Sequence, residues 1–94
     1  MKISIVTATY NSASFINDCL DSIKLQNYKN IEHIIVDGAS TDETLLLLKS
    51  KRNQLKKLIS EPDMGIYDAM NKGIKIASGD IIGLLNSDDF YANN

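Results

Sequence analysis

Apolar and polar positions along the chain alternate between two rhythms. Residues 3–8, "ISIVTA", are short, β-branched and almost continuously apolar, the pattern of a strand covered on both faces. Residues 12–26, "SASFINDCLDSIKLQ", switch to helical spacing, with Phe15, Ile16, Cys19, Leu20 and Ile23 on one face. Asn11 or Ser12 is placed to cap that helix. A second strand is expected at 31–37, "IEHIIVD". The "STDE" that follows has the form of a capping box, with Ser40 at the N-cap and Glu43 three positions on. The helix it opens carries Leu45 to Leu48 and runs into a basic, exposed end.

Residues 57–60, "KLIS", form a short third strand that Pro62 ends. In the next helix Ile66, Ala69, Met70, Gly73, Ile76 and Ala77 share a face, and Ser78-Gly79 is placed to close it. The run "IIGLL", 81–85, has no polar alternation, which points to a central strand. Strands alternating with helices through right-handed crossovers predict an α/β fold with a parallel sheet. The 94 residues are enough for one such domain, spanning 1–94.

Composition narrows the classes. The formal net charge is −2, and the only basic cluster is Lys49, Lys51, Arg52, Lys56 and Lys57, a small footprint that argues against nucleic acid as a partner. That cluster reads as a solvated helix end, with weak contact to an anionic membrane surface as the alternative. Cys19 is the single cysteine, so neither an intrachain disulfide nor a cysteine zinc cluster is expected. No apolar run reaches the roughly 20 residues that span a bilayer. Polar residues arrive too early for a secretory signal, and a cytoplasmic setting, peripheral to the membrane at most, is the expectation.

In open parallel sheets ligands bind beyond the carboxyl ends of the strands, where strand order switches. That rule gathers "TATYN" (7–11), "DGASTD" (37–42), "EPDMGIYD" (61–68) and "NSDD" (86–89) at one edge. All four are polar and acidic or hydroxyl-rich, which folding alone does not require. Neither glycine-rich phosphate signature occurs in the chain. A diphosphate facing Asp88 and Asp89 alone would be repelled. A divalent cation reverses this, because Mn²⁺ or Mg²⁺ takes carboxylate oxygens on one side and phosphate oxygens on the other.

The strings "SIVTATYN", "IIVDGASTDET" and "SEPDMGIYDAMNKGIKIASGDIIGLLNSDD" cover nearly the whole chain. In order and spacing they resemble the nucleotide-binding half of a family 2 glycosyltransferase of the GT-A fold. The resemblance implies a Rossmann-like sheet of order 3-2-1-4, a nucleotide-sugar donor (often a UDP-sugar), a divalent metal, and inversion at the anomeric carbon. It also implies an acceptor saccharide or lipid-linked saccharide, as in surface polysaccharide synthesis. Carried onto this sequence, it places Thr7, Ala8 and Tyr10 in the base pocket, Tyr10 by stacking, with Asp37 at the base or ribose. Asn86, Ser87 and Asp88 occupy the D-x-D position, Asp88 is the best metal ligand, and Asp89 adjoins it. Asp63, Asp68 and Lys72 fall near the donor sugar. Two positions depart from the common pattern: Asp37-Gly38-Ala39-Ser40 stands where many relatives have Asp-Asp-Gly-Ser, and Asn86 replaces an acid. The general base of an inverting transfer is expected beyond Asn94, so the chain reads as a donor-binding half, inactive alone.

Plainer roles stand beside these. Asp42 and Glu43 suit the first turn of a helix, Asp63 a cap, and Asp68 with Lys72 an i, i+4 surface ion pair. His33, without partner ligands, and Cys19, on an apolar face, read as structural. A nucleotidyltransferase is the nearest enzymatic rival, but "TATYNSAS" is not its glycine-rich basic loop. The rival from another class is a non-catalytic nucleotide-binding or interaction domain that self-associates through an exposed fourth-strand edge.

Overall fold

The computed structural model describes residues 1–24, 30–62 and 64–86, the side chains of Ile66 and Asn86 excepted. Along the chain run β1 (Ile3–Thr9), α1 (Ile16–Lys24), β2 (Ile31–Asp37), α2 (Thr44–Ser50), a single 3-10 turn (Arg52–Gln54), β3 (Lys57–Ser60), α3 (Ile66–Ile76) and β4 (Ile81–Asn86). The four strands form one sheet of order β3-β2-β1-β4, as the resemblance implied, and all three pairings are parallel. Crossovers of one hand must put helices on one face while the order runs outward from β1, and on the other face once it doubles back. The helices obey this. Ile16 and Leu20 of α1 and Leu48 of α2 pack on Ile35, whereas Ala69 and Met70 of α3 pack with Val6, Ala8, Ile34 and Val36 on the opposite face.

Strands β1 and β2 are buried on both faces except at their first residues, which accounts for their near-continuous apolar character. Full burial of each large aliphatic side chain is worth about 1.5–3 kcal/mol. Gly73 lets α3 settle onto the sheet, since a Cβ there would overlap the methyl groups of Val6.

Several local expectations give way to longer-range contacts. Phe15 precedes α1 rather than lying on its buried face, and is 52% exposed. The capping box does not form: α2 starts at Thr44 with Glu43 at its N-cap and no side-chain cap. Ser40 lies outside the helix and serves Asp37 instead. The end of α3 is not closed by a left-handed glycine. The Ser78 N–H donates to Glu32 Oε2 (2.7 Å) and the Gly79 N–H to Ser4 Oγ (2.8 Å).

Glu32 is the hub of that closure. Burial pushes its carboxyl upward, but hydrogen bonds from Ser4 and Ser78, with Lys2 Nζ at 3.3 Å from Oε1, outweigh burial and bring it down to about 2. β4 lies at an edge of the described sheet, not in its centre. Helix α3 covers β1 and β2, leaving Ile82 (40%) and Leu84 (52%) of β4 exposed on its face of the sheet, while Ile81, on the α1 face, is 48% exposed. No helix among the described residues is long and apolar enough to cross a membrane.

Candidate functional site

At the carboxyl edge β1, β2 and β3 end in register, with Thr9 beside Asp37 and Asp37 beside Ser60. On the other side of β1, Ala8 pairs with Asn86, so β4 delivers the chain to the same edge. The switch in strand order falls between β1 and β4, where the loops leave toward opposite faces.

Asp37 organises three of these ends. Its carboxylate is fully buried and accepts four hydrogen bonds, two at each oxygen. Thr9 Oγ1 (2.6 Å) and Ser40 Oγ (2.6 Å) donate to Oδ1, and the Ser40 N–H (2.9 Å) and Ser60 Oγ (3.0 Å) to Oδ2. A buried carboxylate needs such donors in place of water. With its lone pairs occupied, the side chain ties loops together; the contact with a base or ribose expected of it is not offered in this arrangement.

The loops after β1 and β2 are joined a second time farther out. Asn11 Oδ1 accepts the N–H groups of Thr41 (2.8 Å) and Asp42 (3.3 Å), and the Asn11 N–H donates to Ser40 Oγ (2.9 Å). Asp42 accepts the N–H groups of Thr44 (2.9 Å) and Ala13 (3.3 Å). The Thr44 hydroxyl, first, and these backbone donors hold its carboxyl below the ordinary range. Asn11 and Ala39 both have left-handed backbones, φ 48° and 61°. Between the pinned residues Thr9 and Asn11, Tyr10 is 62% exposed.

Other expected site residues fall in different places. Thr7 is fully buried, its hydroxyl 2.8 Å from His33 Nε2, and Ala8 belongs to the core under α3. Both side chains are therefore buried among protein atoms. Burial lowers His33 to about 4, keeping it neutral, which matches a structural role.

At the third loop Asp68 Oδ2 accepts the Met64 N–H (2.9 Å), the first cause of its lowered pKa, with Lys72 adding to it. Lys72 Nζ lies 3.5 Å from Asp68 Oδ2 and 3.0 Å from Glu61 Oε1, and donates to the Pro62 carbonyl (3.2 Å). The hydrogen bond to Glu61 is the leading cause of its raised pKa. The i, i+4 pair is thus present, and Glu61, which sequence reasoning missed, completes a clamp on the β3–α3 loop. The turn into α3 needs Gly65, whose φ is 114°.

Asp63, Ser87, Asp88 and Asp89 lie outside the described residues. Among the described residues no group of three or more His, Cys, Asp or Glu side chains could hold a metal ion.

Comparison with known proteins gives this edge a class. Residues 4–94 match the model of Glycosyl transferase family 2, and the chain belongs to that family. It is 42% identical, over 89 residues, to a PGL/p-HBAD biosynthesis glycosyltransferase of Mycobacterium bovis (strain BCG / Pasteur 1173P2). That match covers 92% of this chain and 35% of the relative, so the chain spans about a third of the relative's length. Its fold is that of the GT-A glycosyltransferases. The structure of S. aureus TarS 1-349 in complex with UDP-GlcNAc superposes with a TM-score of 0.87 at 32% identity, covering 96% of this chain and 27% of that one. The mannosyltransferase PcManGT of Pyrobaculum calidifontis, in complex with GDP-Man and Mn²⁺, gives 0.83 at 29%, covering 96% and 28%.

Proposed function

We propose that this chain is the donor-binding part of a metal-dependent glycosyltransferase. It would carry a UDP-sugar from which the sugar passes, with inversion at the anomeric carbon, to an acceptor saccharide or lipid-linked saccharide. The observation that carries the reading is the exposed ring of Tyr10, held between two pinned residues at the carboxyl edge. A rigid aromatic face there is suited to stacking on a base. Thr7 and Ala8 contribute the backbone of the strand end, and Asp37 contributes loop geometry. Asn86, Ser87 and Asp88 take the D-x-D position in the sequence in this proposal. Asp63, Asp68 and Lys72 are assigned to the donor sugar in this proposal, the charged Lys72 being paired with Glu61 and Asp68.

Asp37, Asp42 and Asp68 are engaged by protein donors, so Asp88 and Asp89 are the metal ligands in this proposal. Mn²⁺ or Mg²⁺ held there would neutralise the charge developing on the departing diphosphate. The base that deprotonates the acceptor hydroxyl is assigned to residues outside this chain. A cytoplasmic setting, with the acceptor at the membrane face, and a place in surface polysaccharide synthesis belong to the same proposal.

The test is amide shift mapping by NMR as UDP is added with Mg²⁺ present, repeated on Asp88→Ala. Shifts centred on residues 9–11 and 38–42, lost in the variant, support the reading. Binding elsewhere, or none from a folded sample, refutes it. The open apolar side chains of β4 favour one alternative, an interaction domain pairing through that edge; concentration-dependent self-association without nucleotide shifts would identify it.

A further inference from the structure

Tyr10 lies between two residues that are both fastened to the β2–α2 loop. On one side the Gly38 N–H donates to the Thr9 carbonyl (2.9 Å) and Thr9 Oγ1 donates to Asp37. On the other, Asn11 is fastened four ways, through its N–H to Ser40 Oγ and through Oδ1 to the Thr41 and Asp42 N–H groups and the Thr41 hydroxyl. Its φ of 48° turns the chain sharply just after Tyr10, a backbone state that asparagine adopts more readily than most residues. The Thr9 attachment belongs to the sheet end. The Asn11 attachment is made by a loop residue, mostly through its side chain, and has no part in the strand pairing.

Resting on the donor-binding reading, we infer that Asn11 is a positioning residue, which sets the platform for the nucleoside base without touching it. Its amide oxygen fixes the angle at which the Tyr10 ring leaves the sheet, and it fixes the two loops that would flank the base as one unit. Among the described residues Tyr10 makes local backbone hydrogen bonds to Ser12 Oγ, its N–H donating at 3.2 Å and its carbonyl accepting at 3.3 Å, which orient the peptide without engaging the ring. Without Asn11 Oδ1 the turn would keep its strand anchor and the backbone bond to Ser40 Oγ but lose the bonds to Thr41 and Asp42, and the ring would have to be ordered more fully at the moment of binding. That ordering weakens affinity while leaving the core unchanged.

Two variants separate positioning from folding. Asn11→Gly tolerates the positive φ but has no acceptor; Asn11→Asp keeps an acceptor oxygen at the same place. Hydrogen exchange at the Thr41 and Asp42 amides should quicken about tenfold in Asn11→Gly, with protection in the β1–β2 ladder unchanged. UDP affinity in the presence of Mg²⁺ should fall about tenfold in the same variant. In Asn11→Asp both should return to within about threefold of the parent. Unchanged exchange at Thr41 and Asp42 overturns the inference whatever the parent binds. So does affinity that stays at the parent level in Asn11→Gly, or exchange that quickens uniformly across the sheet. A parent that binds no UDP overturns the donor reading, and with it the use assigned to Asn11, even where the exchange result stands.

Discussion

Thr9 Oγ1 donates to Asp37 Oδ1 across 2.6 Å, joining the ends of the two central strands inside the protein rather than in solvent. Ser40 and Ser60 complete the set, so one carboxylate holds three strand ends. Asp37→Ala would leave these donors buried without an acceptor. The expected cost is about 2–3 kcal/mol, read as a lower urea midpoint. Asp37→Asn should also destabilise, because an amide N–H group would replace one of the acceptor oxygens. An unchanged midpoint in both variants would mean that the carboxylate does not organise the edge.

His33 makes stability depend on pH. Its folded pKa, about 4, lies below the ordinary 6.5, so the unfolded chain binds the extra proton between these values. Stability therefore rises with pH across that window and is lost as pH falls through it. From pH 7 to pH 5 the loss should be about 2 kcal/mol, before most carboxylates begin to titrate. Glu32 acts in the same direction at lower pH: its contribution is complete above 4.5 and disappears as pH falls through about 2. Urea titrations at pH 7, 6 and 5 check the His33 window; equal midpoints would contradict it.

Gly73→Ala tests the packing of α3 on β1. Helix propensity alone favours alanine by about 1 kcal/mol. The new methyl, however, would meet both methyls of Val6, a β-branched residue in a fully buried strand position. Overpacking of this kind costs about 1–3 kcal/mol, so the variant should be less stable than the parent by thermal denaturation. A higher melting temperature would show that the helix can move off the sheet at little cost.

The boundaries of β2 and β3 were legible because continuous apolar runs and Pro62 are local signals, whereas the strand order came with the family resemblance. The helix ends were less so. "STDE" is a good capping box in isolation, but the Ser40 hydroxyl has a stronger use at the buried carboxylate of Asp37. Ser78 and Gly79 read as a helix stop, and they are one, but through Glu32 and Ser4, far away in sequence. Long-range partners leave no periodicity to detect.

The same limit hid Glu61 as a partner of Lys72 and Asn11 as the tie between loops. For Asn11 a faint signal existed: an asparagine after an aromatic, in a turn between a strand and a helix, is a candidate for positive φ. Of the residues expected at the edge loops, Thr7 and Asp37 are fully buried. Apolar β4 was read as central, and its exposed Ile82 and Leu84 lie on the face that α3 leaves uncovered.

The most direct test of the donor-binding account is calorimetric titration of this chain with UDP in Mn²⁺, then with chelator added. The account predicts saturable binding with Mn²⁺ that disappears with chelator and in Asp88→Ala. No heat in any condition, from a sample whose cooperative unfolding proves it folded, would contradict it.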